Sequence, residues 1–224
     1  MKRLFSVILY CLIVIGLTAC SKDSSNAKQS TTPVSSQTSV SKLDIGENTD
    51  LSKYVFVGDS RFVGIQNSLK GFIDQDVEIV AKIGEGLKWF KTIAPDLYKM
   101  KGKTIIFNFG VNDLYNADKY IEFYNGMPED FKKDNTLVFM SVNPVDEAKE
   151  AEHGFKVKNT DIEKFNDKMN NGLDKQYFHI VDTNTYLQRN GFVTTDGLHY
   201  FNNVNRQIFE YTVKCCEKGE FISR

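Results

Sequence analysis

The chain has few of the residues from which metal frameworks are built. Its 224 residues include four cysteines and three histidines, and these are scattered along the sequence. That distribution excludes a zinc framework. An excess of one charge is also missing, because 28 lysines and arginines stand against 29 acidic residues and leave a net charge of −1. A nucleic-acid-binding protein needs clustered positive charge to neutralise phosphates, so the composition gives that function no support.

A long apolar run occurs only once, at residues 4–17. The run is short for a transmembrane helix and follows Lys2 and Arg3, which is typical of a signal peptide. Leu17-Thr18-Ala19-Cys20 follows directly and resembles the lipobox of bacterial lipoproteins. The resemblance implies cleavage before Cys20, a diacylglycerol on its sulfur, and a protein anchored outside the cytoplasmic membrane. An ordinary secretory signal with an incidental cysteine is the alternative.

The next segment, residues 21–41, contains eleven serines and threonines and almost no large apolar residue. Such a segment buries too little surface to offset its ordering entropy, so we expect a flexible spacer. A structured N-terminal extension is the alternative. The predicted organisation is therefore a signal peptide at residues 1–19, a lipidated cysteine with a Ser/Thr-rich linker at 20–50, and one domain at 51–224.

Within the domain, short β-branched and aromatic runs alternate with longer amphipathic segments. The runs predict strands at residues 54–57, 77–81, 104–109, 136–142 and 177–181. The segments between and after them predict helices at residues 62–69, 87–98 with a break at Pro95, 120–124, 161–173 and 202–215. This alternation predicts an α/β domain whose mainly parallel sheet is covered on both faces. The polar residues 144–159 are either a rim over a site or a disordered loop.

The other cysteines and histidines have structural interpretations. Cys215 and Cys216 are adjacent, and a disulfide between neighbours closes a strained ring, so we expect one of them to face the core from the last helix. His179 lies inside the fifth predicted strand and is interpreted as a core histidine. His153 lies in a polar stretch without an evident partner.

Binding sites of parallel sheets lie beyond the carboxyl ends of the strands. Four motifs occupy such positions or precede the last helix: Gly58-Asp59-Ser60, Lys82-Ile83-Gly84-Glu85-Gly86, Gly110-Val111-Asn112-Asp113 and Asp196-Gly197-Leu198-His199. Taken singly, each motif also fits an ordinary helix cap or turn.

Together the motifs supply the groups that acyl transfer needs. Ser60 presents a hydroxyl at the sheet edge and a backbone N–H at a helix start, which is a donor for a developing oxyanion. Asn112 offers a neutral amide donor. Asp196, three residues before His199, can hold one ring nitrogen and leave the other free to take a proton from the serine.

In this order the motifs resemble those of the SGNH hydrolases, also called GDSL esterases, over residues 54–211. The four residues that name the family correspond to Ser60, Gly84, Asn112 and His199. The resemblance implies a three-layer α/β/α sandwich with a five-stranded parallel sheet in flavodoxin-like order. It also implies a Ser60-His199-Asp196 triad, and an oxyanion hole from Ser60, Gly84 and Asn112. No metal or organic cofactor is implied.

The chain departs from the family pattern at two points. Arg61 replaces the leucine of the GDSL motif, which puts a cation next to the predicted nucleophile. Gly86 could also supply the oxyanion-hole group that the resemblance assigns to Gly84. No Gly-x-Ser-x-Gly motif occurs in the sequence, which argues against an α/β-hydrolase fold as the route to the same chemistry.

The function predicted from the sequence is an extracytoplasmic, lipid-anchored serine esterase. We expect small acyl esters as substrates, above all O-acetyl groups on cell-wall or other carbohydrates. Arg61, Tyr115 and Asn143 lie near strand ends and are candidates for substrate contact, although each also fits ordinary surface. A lipase or thioesterase of the same family and a non-catalytic glycan-binding lipoprotein are the alternatives.

Overall fold

The computed structural model describes residues 43–46, 48–74, 77–154 and 156–222. The predicted signal peptide, the Cys20 lipidation site and residues 21–41 of the predicted linker lie outside the described residues. No helix in these four ranges is both long enough and apolar enough to cross a membrane.

Five parallel strands form one sheet in the order β2-β1-β3-β4-β5. This is the flavodoxin-like order that the resemblance implied. The central strands are buried almost throughout, because helices cover both of their faces, and they therefore form continuous apolar runs. The strands are β1 (Tyr54–Gly58), β2 (Glu78–Ala81), β3 (Thr104–Asn108), β4 (Thr136–Met140) and β5 (Phe178–Val181).

Helices pack on both faces of the sheet, as predicted. The helices are α1 (Ser60–Leu69), α2 (Leu87–Leu97), α3 (Ala117–Asn125), α4 (Glu129–Asp134), α5 (Glu147–Glu152), α6 (Asn159–Gly172), α7 (Thr183–Asn190) and α8 (Asn202–Lys218). Buried residues of α1, α7 and α8 share one core cluster with the sheet, and those of α2, α3, α4 and α6 share the other. The fold is therefore a three-layer α/β/α sandwich.

The two cores are rich in aromatic contacts. On one face Phe56 packs against Phe62 of α1 and Phe209 of α8, with ring centroids 5.3 and 5.2 Å apart. On the other face Phe90 of α2 packs on Phe107 of β3 at 5.4 Å. Alternate residues of each strand thus anchor opposite helical layers, which fixes the positions of the loops between them.

Two local features differ from the expectations, and one agrees with them. Leu43, in the segment assigned to the linker, is buried in the same core as Leu51. Helix α2 continues through Pro95, where a break was predicted, and ends two residues later. Cys215 is buried and Cys216 is half-buried, and both are free thiols, as expected.

The prediction of a core position for His179 is wrong. His179 is exposed, because β5 is an edge strand and the helices of that face leave this position uncovered. Its ring stacks instead on Phe221, with centroids 4.3 Å apart. The backbone N–H of Ile222 donates to the carbonyl of Ile180 in β5 at 3.0 Å. The segment after α8 therefore lies along this edge of the sheet.

Candidate active site

Ser60 is the first residue of α1, and Asp59 alone separates it from the end of β1. Asp59 caps the helix, since its side chain accepts the N–H of Arg61 at 3.0 Å. A Cβ on Gly58 would lie 2.7 Å from the Asn108 carbonyl and from the Phe62 ring, so this tight passage requires glycine. Ser60 itself is 6 % exposed, and the first N–H of a helix has no partner within the helix.

Asp196 and His199 form a hydrogen-bonded pair in the loop before α8. The Nδ1 atom of His199 lies 2.7 Å from Oδ2 of Asp196. The other carboxylate oxygen accepts the backbone N–H groups of Leu198 at 3.0 Å and His199 at 2.7 Å. Partial burial opposes ionisation of this carboxyl, but the hydrogen bonds from His199 and Leu198 outweigh it and hold the pKa of Asp196 below its ordinary value.

The structure brings Ser60 to this pair although 139 positions separate it from His199. The Nε2 atom of His199 lies 2.9 Å from Oγ of Ser60. One ring nitrogen of His199 thus contacts a hydroxyl and the other a carboxylate. This is the arrangement in which a base can take the serine proton while the carboxylate orients the ring.

The segment at residues 144–159 packs against the Asp196–His199 loop. The N–H of Asp146 donates to the carbonyl of Gly197 at 2.9 Å, and Nζ of Lys149 donates to the carbonyl of Thr194 at 2.5 Å. The Tyr200 hydroxyl donates to the carbonyl of Pro144. Of the two interpretations left open by the sequence, the described part of this segment fits an ordered element, with α5 at its centre.

Gly84 and Asn112 lie on neighbouring loops that a hydrogen bond connects. Nδ2 of Asn112 donates to the carbonyl of Glu85 at 2.8 Å, and a side-chain amide has a second hydrogen to donate. Gly84 has a φ of +73°, and a Cβ added to it would meet nothing within 4 Å, so its backbone faces open space. A Cβ on Gly86 would instead lie 2.5 Å from the Asp113 carboxylate. Close packing against Asp113 therefore explains why residue 86 is glycine. Gly84 remains the better candidate for the backbone N–H that donates to the oxyanion.

Asp113 organises these two loops, a role that sequence reasoning missed. Its carboxylate accepts the N–H of Leu87 at 3.0 Å, the hydroxyl of Tyr120 at 2.8 Å and the amide of Asn116 at 3.2 Å. The Gly-x-Asn-Asp motif contained the signal, but only tertiary structure shows that the aspartate holds the start of α2.

Two of the three predicted substrate contacts are internal. Arg61 is 3 % exposed, its Nη1 donates to the carbonyl of Asn143 at 2.8 Å, and its guanidinium lies 5.5 Å from the centroid of the Tyr200 ring. Asn143 is also buried and accepts a hydrogen bond from Thr183 through its side chain. The structure thus corrects the predicted surface positions of Arg61 and Asn143: the Arg61 side chain ties the serine helix to the segment after β4, and the Asn143 side chain ties that segment to the start of α7.

Tyr115 is exposed and borders a cavity of about 420 Å³ that Asn112 also lines. Within the described ranges, no three His, Cys, Asp or Glu side chains are grouped so that they could hold a metal ion. His153 is exposed at the end of α5.

Comparison with family models and with curated proteins finds no match. Solved structures do match the fold. The C-terminal catalytic domain of peptidoglycan O-acetyltransferase A from Streptococcus pneumoniae superimposes with a TM-score of 0.56 at 17 % identity, over 75 % of this chain and 95 % of that one. Axe2, an acetylxylan esterase from Geobacillus stearothermophilus, gives 0.53 at 13 % identity, over 76 % and 97 %.

A putative SGNH hydrolase from Slackia heliotrinireducens gives a TM-score of 0.54 at 11 % identity, over 72 % of this chain and 96 % of that one. These similarities span nearly the whole of each solved chain and agree with the strand order and the layers described above. The chain has the fold of the SGNH hydrolases.

Proposed function

We propose that the chain is a serine esterase that hydrolyses small acyl esters, with O-acetyl groups on carbohydrates as its substrates. The observation that carries the proposal is the continuous contact from Ser60 through His199 to Asp196, with distances of 2.9 and 2.7 Å. The similar solved structures include proteins described as a peptidoglycan O-acetyltransferase and an acetylxylan esterase, which supports an acetylated glycan as substrate.

In the proposed mechanism Oγ of Ser60 attacks the ester carbonyl carbon while Nε2 of His199 takes the hydroxyl proton. Asp196 holds the ring and stabilises the imidazolium that forms. The N–H groups of Ser60 and Gly84 and the Asn112 amide stabilise the oxyanion. Collapse of the intermediate breaks the bond to the alcohol, which leaves with the proton from His199. Water, deprotonated by His199, then releases the acyl group and regenerates Ser60.

We further propose that the enzyme works outside the cytoplasmic membrane, anchored by a lipid on Cys20. The lipobox-like Leu17-Thr18-Ala19-Cys20 after an apolar run supports this location. The two acyl chains of one diacylglycerol suffice for stable anchoring, whereas a single chain binds reversibly. The Ser/Thr-rich residues 21–41 would then separate the domain from the membrane.

The test is hydrolysis of 4-nitrophenyl acetate and 4-nitrophenyl palmitate by the detergent-solubilised full chain. We expect the acetyl ester to be preferred, and Ser60→Ala and His199→Ala each to lower kcat by about 10³-fold or more. Ser68→Ala and His179→Ala are matched controls, because the Ser68 hydroxyl lies in the same helix but donates to the carbonyl of Ile65, and His179 is on the edge strand. Both controls should keep parental activity.

Retention of most of the activity in Ser60→Ala would refute the assignment of the nucleophile. A preference for palmitate would support a lipase or thioesterase. Absence of hydrolysis of every ester by the parent chain would favour the glycan-binding alternative.

A further inference from the structure

Four large apolar side chains are exposed on the described surface: Ile83 at 70 %, Tyr115 at 86 %, Val193 at 54 % and Phe201 at 47 %. Isolated exposed apolar residues are common on soluble proteins. Here, however, each of the four lies within three positions along the chain of Gly84, Asn112, Asp196 or His199. We call this set the apolar rim.

The members of the apolar rim flank the site from two directions. Ile83 directly precedes Gly84, and Tyr115 follows Asn112 by three residues, so both accompany the proposed oxyanion donors. Phe201 follows His199 by two residues, and its N–H donates to the carbonyl of Val193 at 3.4 Å. Tyr115 lies in the helical turn Leu114–Asn116 directly before α3, whereas Phe201 caps α8, which packs on the opposite face of the sheet. The rim therefore has members next to helices of both layers.

The cavity beside Tyr115 is larger than a two-carbon acyl group requires. Its volume of about 420 Å³ falls within the range of sites that hold molecules of drug size. Its lining combines buried apolar side chains with exposed lysines, namely Val111, Ala117, Phe165, Lys156, Lys164 and Lys168. A sugar ring suits this mixture, because it has apolar C–H faces and a periphery of hydroxyls. A hydrocarbon chain would instead cover the Lys164–Asp161 and Lys168–Asp118 ion pairs with a group that cannot hydrogen-bond to them.

The charges around the rim argue against a membrane surface as the occupant. Lys82 pairs with Glu85 at 2.6 Å, and Lys158 pairs with Glu147 at 3.1 Å. Lys164 contacts Asp161 at 3.3 Å. Such balanced pairs are attracted only weakly to anionic lipid headgroups. Strong attraction to these headgroups requires clusters of unpaired basic residues. Ser60 is moreover only 6 % exposed, so an ester held within a bilayer plane would not reach it.

We propose that the apolar rim binds an extended glycan strand, with sugar units on both sides of the acylated one. The inference rests on the proposed function and names the form of its substrate: a polymer rather than a single acylated sugar. Tyr115 and the adjacent cavity hold the units on one side of the ester. Phe201 and Val193 hold the units on the other side.

The test measures acetate release from O-acetylated xylo-oligosaccharides and chito-oligosaccharides of one to six units, beside 4-nitrophenyl acetate. In the parent chain we expect kcat/KM to rise about tenfold or more with chain length in at least one series. Tyr115→Ala and Phe201→Ala should each lower the ratio of hexamer to 4-nitrophenyl acetate activity about tenfold, mainly through KM. Tyr177→Ala, at the amino end of β5, is the matched control and should keep the parental ratio.

Two results would overturn the inference while leaving the proposed function intact. The first is Ser60-dependent hydrolysis of 4-nitrophenyl acetate with no gain from chain length in either series. The second is activation by neutral phosphatidylcholine vesicles that both rim variants abolish, since that would assign the rim to a lipid surface. Failure of the parent chain to hydrolyse any acetyl ester would instead refute the proposed function itself.

Discussion

Asp59 is a buried carboxyl group directly before the proposed nucleophile. One of its oxygens accepts the N–H of Arg61, while Oδ2 has no hydrogen-bond partner among the described residues. Burial raises the pKa of Asp59 from 3.8 to about 6, against the opposing attraction of Arg61. The folded state therefore binds a proton between these pH values that the unfolded state has released.

This difference predicts that Asp59→Asn raises the free energy of unfolding by an amount that depends on pH. Asparagine is also a good helix cap, so the start of α1 keeps its cap. The Asp59 contribution to stability is present below pH 3.8 and is lost as pH rises through about 6. The free energy of unfolding of the variant should therefore rise by about 2 kcal/mol relative to that of the parent between pH 4 and pH 7.5. Urea unfolding at the two pH values measures the change.

Asp50→Asn is the matched control, because Asp50 also caps a helical turn but is exposed, and its bonds to Ser52 lower its pKa. The free energy of unfolding of that variant should not rise relative to the parent as the pH increases to 7.5. An equal difference between Asp59→Asn and the parent at both pH values would contradict the prediction.

Residue types and order sufficed to predict that Ser60, His199 and Asp196 would meet at the sheet edge. Ser60 follows a strand and His199 precedes a helix whose apolar patterns are clear, and binding sites of parallel sheets lie beyond the carboxyl ends of the strands. The sequence could not predict the burial of Arg61 and Asn143. An arginine in the first turn of a helix is ordinarily exposed, and the contacts of this guanidinium with the Tyr200 ring and the Asn143 carbonyl appear only in the tertiary structure.

At the level of elements, the loop that carries Asp196 and His199 depends on the segment around α5. Gly197 has a φ of +92°, and a Cβ there would overlap the backbone of Glu150. Gly197→Ala should therefore displace the loop and lower kcat/KM at least about 100-fold, because a shift of about 1 Å at reacting groups costs that much. Kinetics with 4-nitrophenyl acetate measure the loss.

Gly154→Ala provides the control for this substitution. Gly154 also has a positive φ, of +80°, but nothing lies within 4 Å of its Cβ position. Its variant should lose about 1–2 kcal/mol of stability from backbone strain alone and keep its activity within about twofold. Equal losses of activity in the two variants would show that strain, and not the contact with Glu150, governs the site.

The elements that the sequence did not predict are short and polar. Helix α7 contains Leu187 as its one fully buried large apolar residue, and α4 contains Phe131. Neither has the three- to four-residue apolar repeat that identified α6 and α8. Capping by Asp182, whose side chain accepts the N–H of Thr185, helps to define α7. A helix cap and one buried apolar residue together are too weak a pattern to assign a helix from sequence alone.

For the whole molecule, the lipobox predicts a covalent anchor at Cys20. Cys20→Ser should remove the diacylglycerol and the cleavage before it, whereas Cys11→Ser, within the apolar run, should leave both unchanged. Mass spectrometry of the N-terminal peptide from the membrane fraction measures the modification. An unmodified parent chain that begins at Met1 would refute the anchor.

The overall architecture could be predicted from the alternation of strand and helix patterns along the sequence. Strands separated by helices require crossover connections, and crossovers produce a parallel sheet with two covered faces. How far the core extends toward the N-terminus was harder to predict from the sequence. Leu43 and Ile45 are two apolar residues in a short polar stretch, which is too little of a pattern to distinguish them from linker residues until their packing against the core of α1 and α8 is known.

The segment after α8 also bears on how copies of the chain meet at high concentration. An uncovered outer strand offers its backbone groups as a template on which a strand of another molecule can add. In this protein the carbonyl of Ile180 already accepts the N–H of Ile222, and Phe221 lies over His179. The chain thereby occupies part of its own β5 edge, which disfavours edge-to-edge aggregation at that side of the sheet.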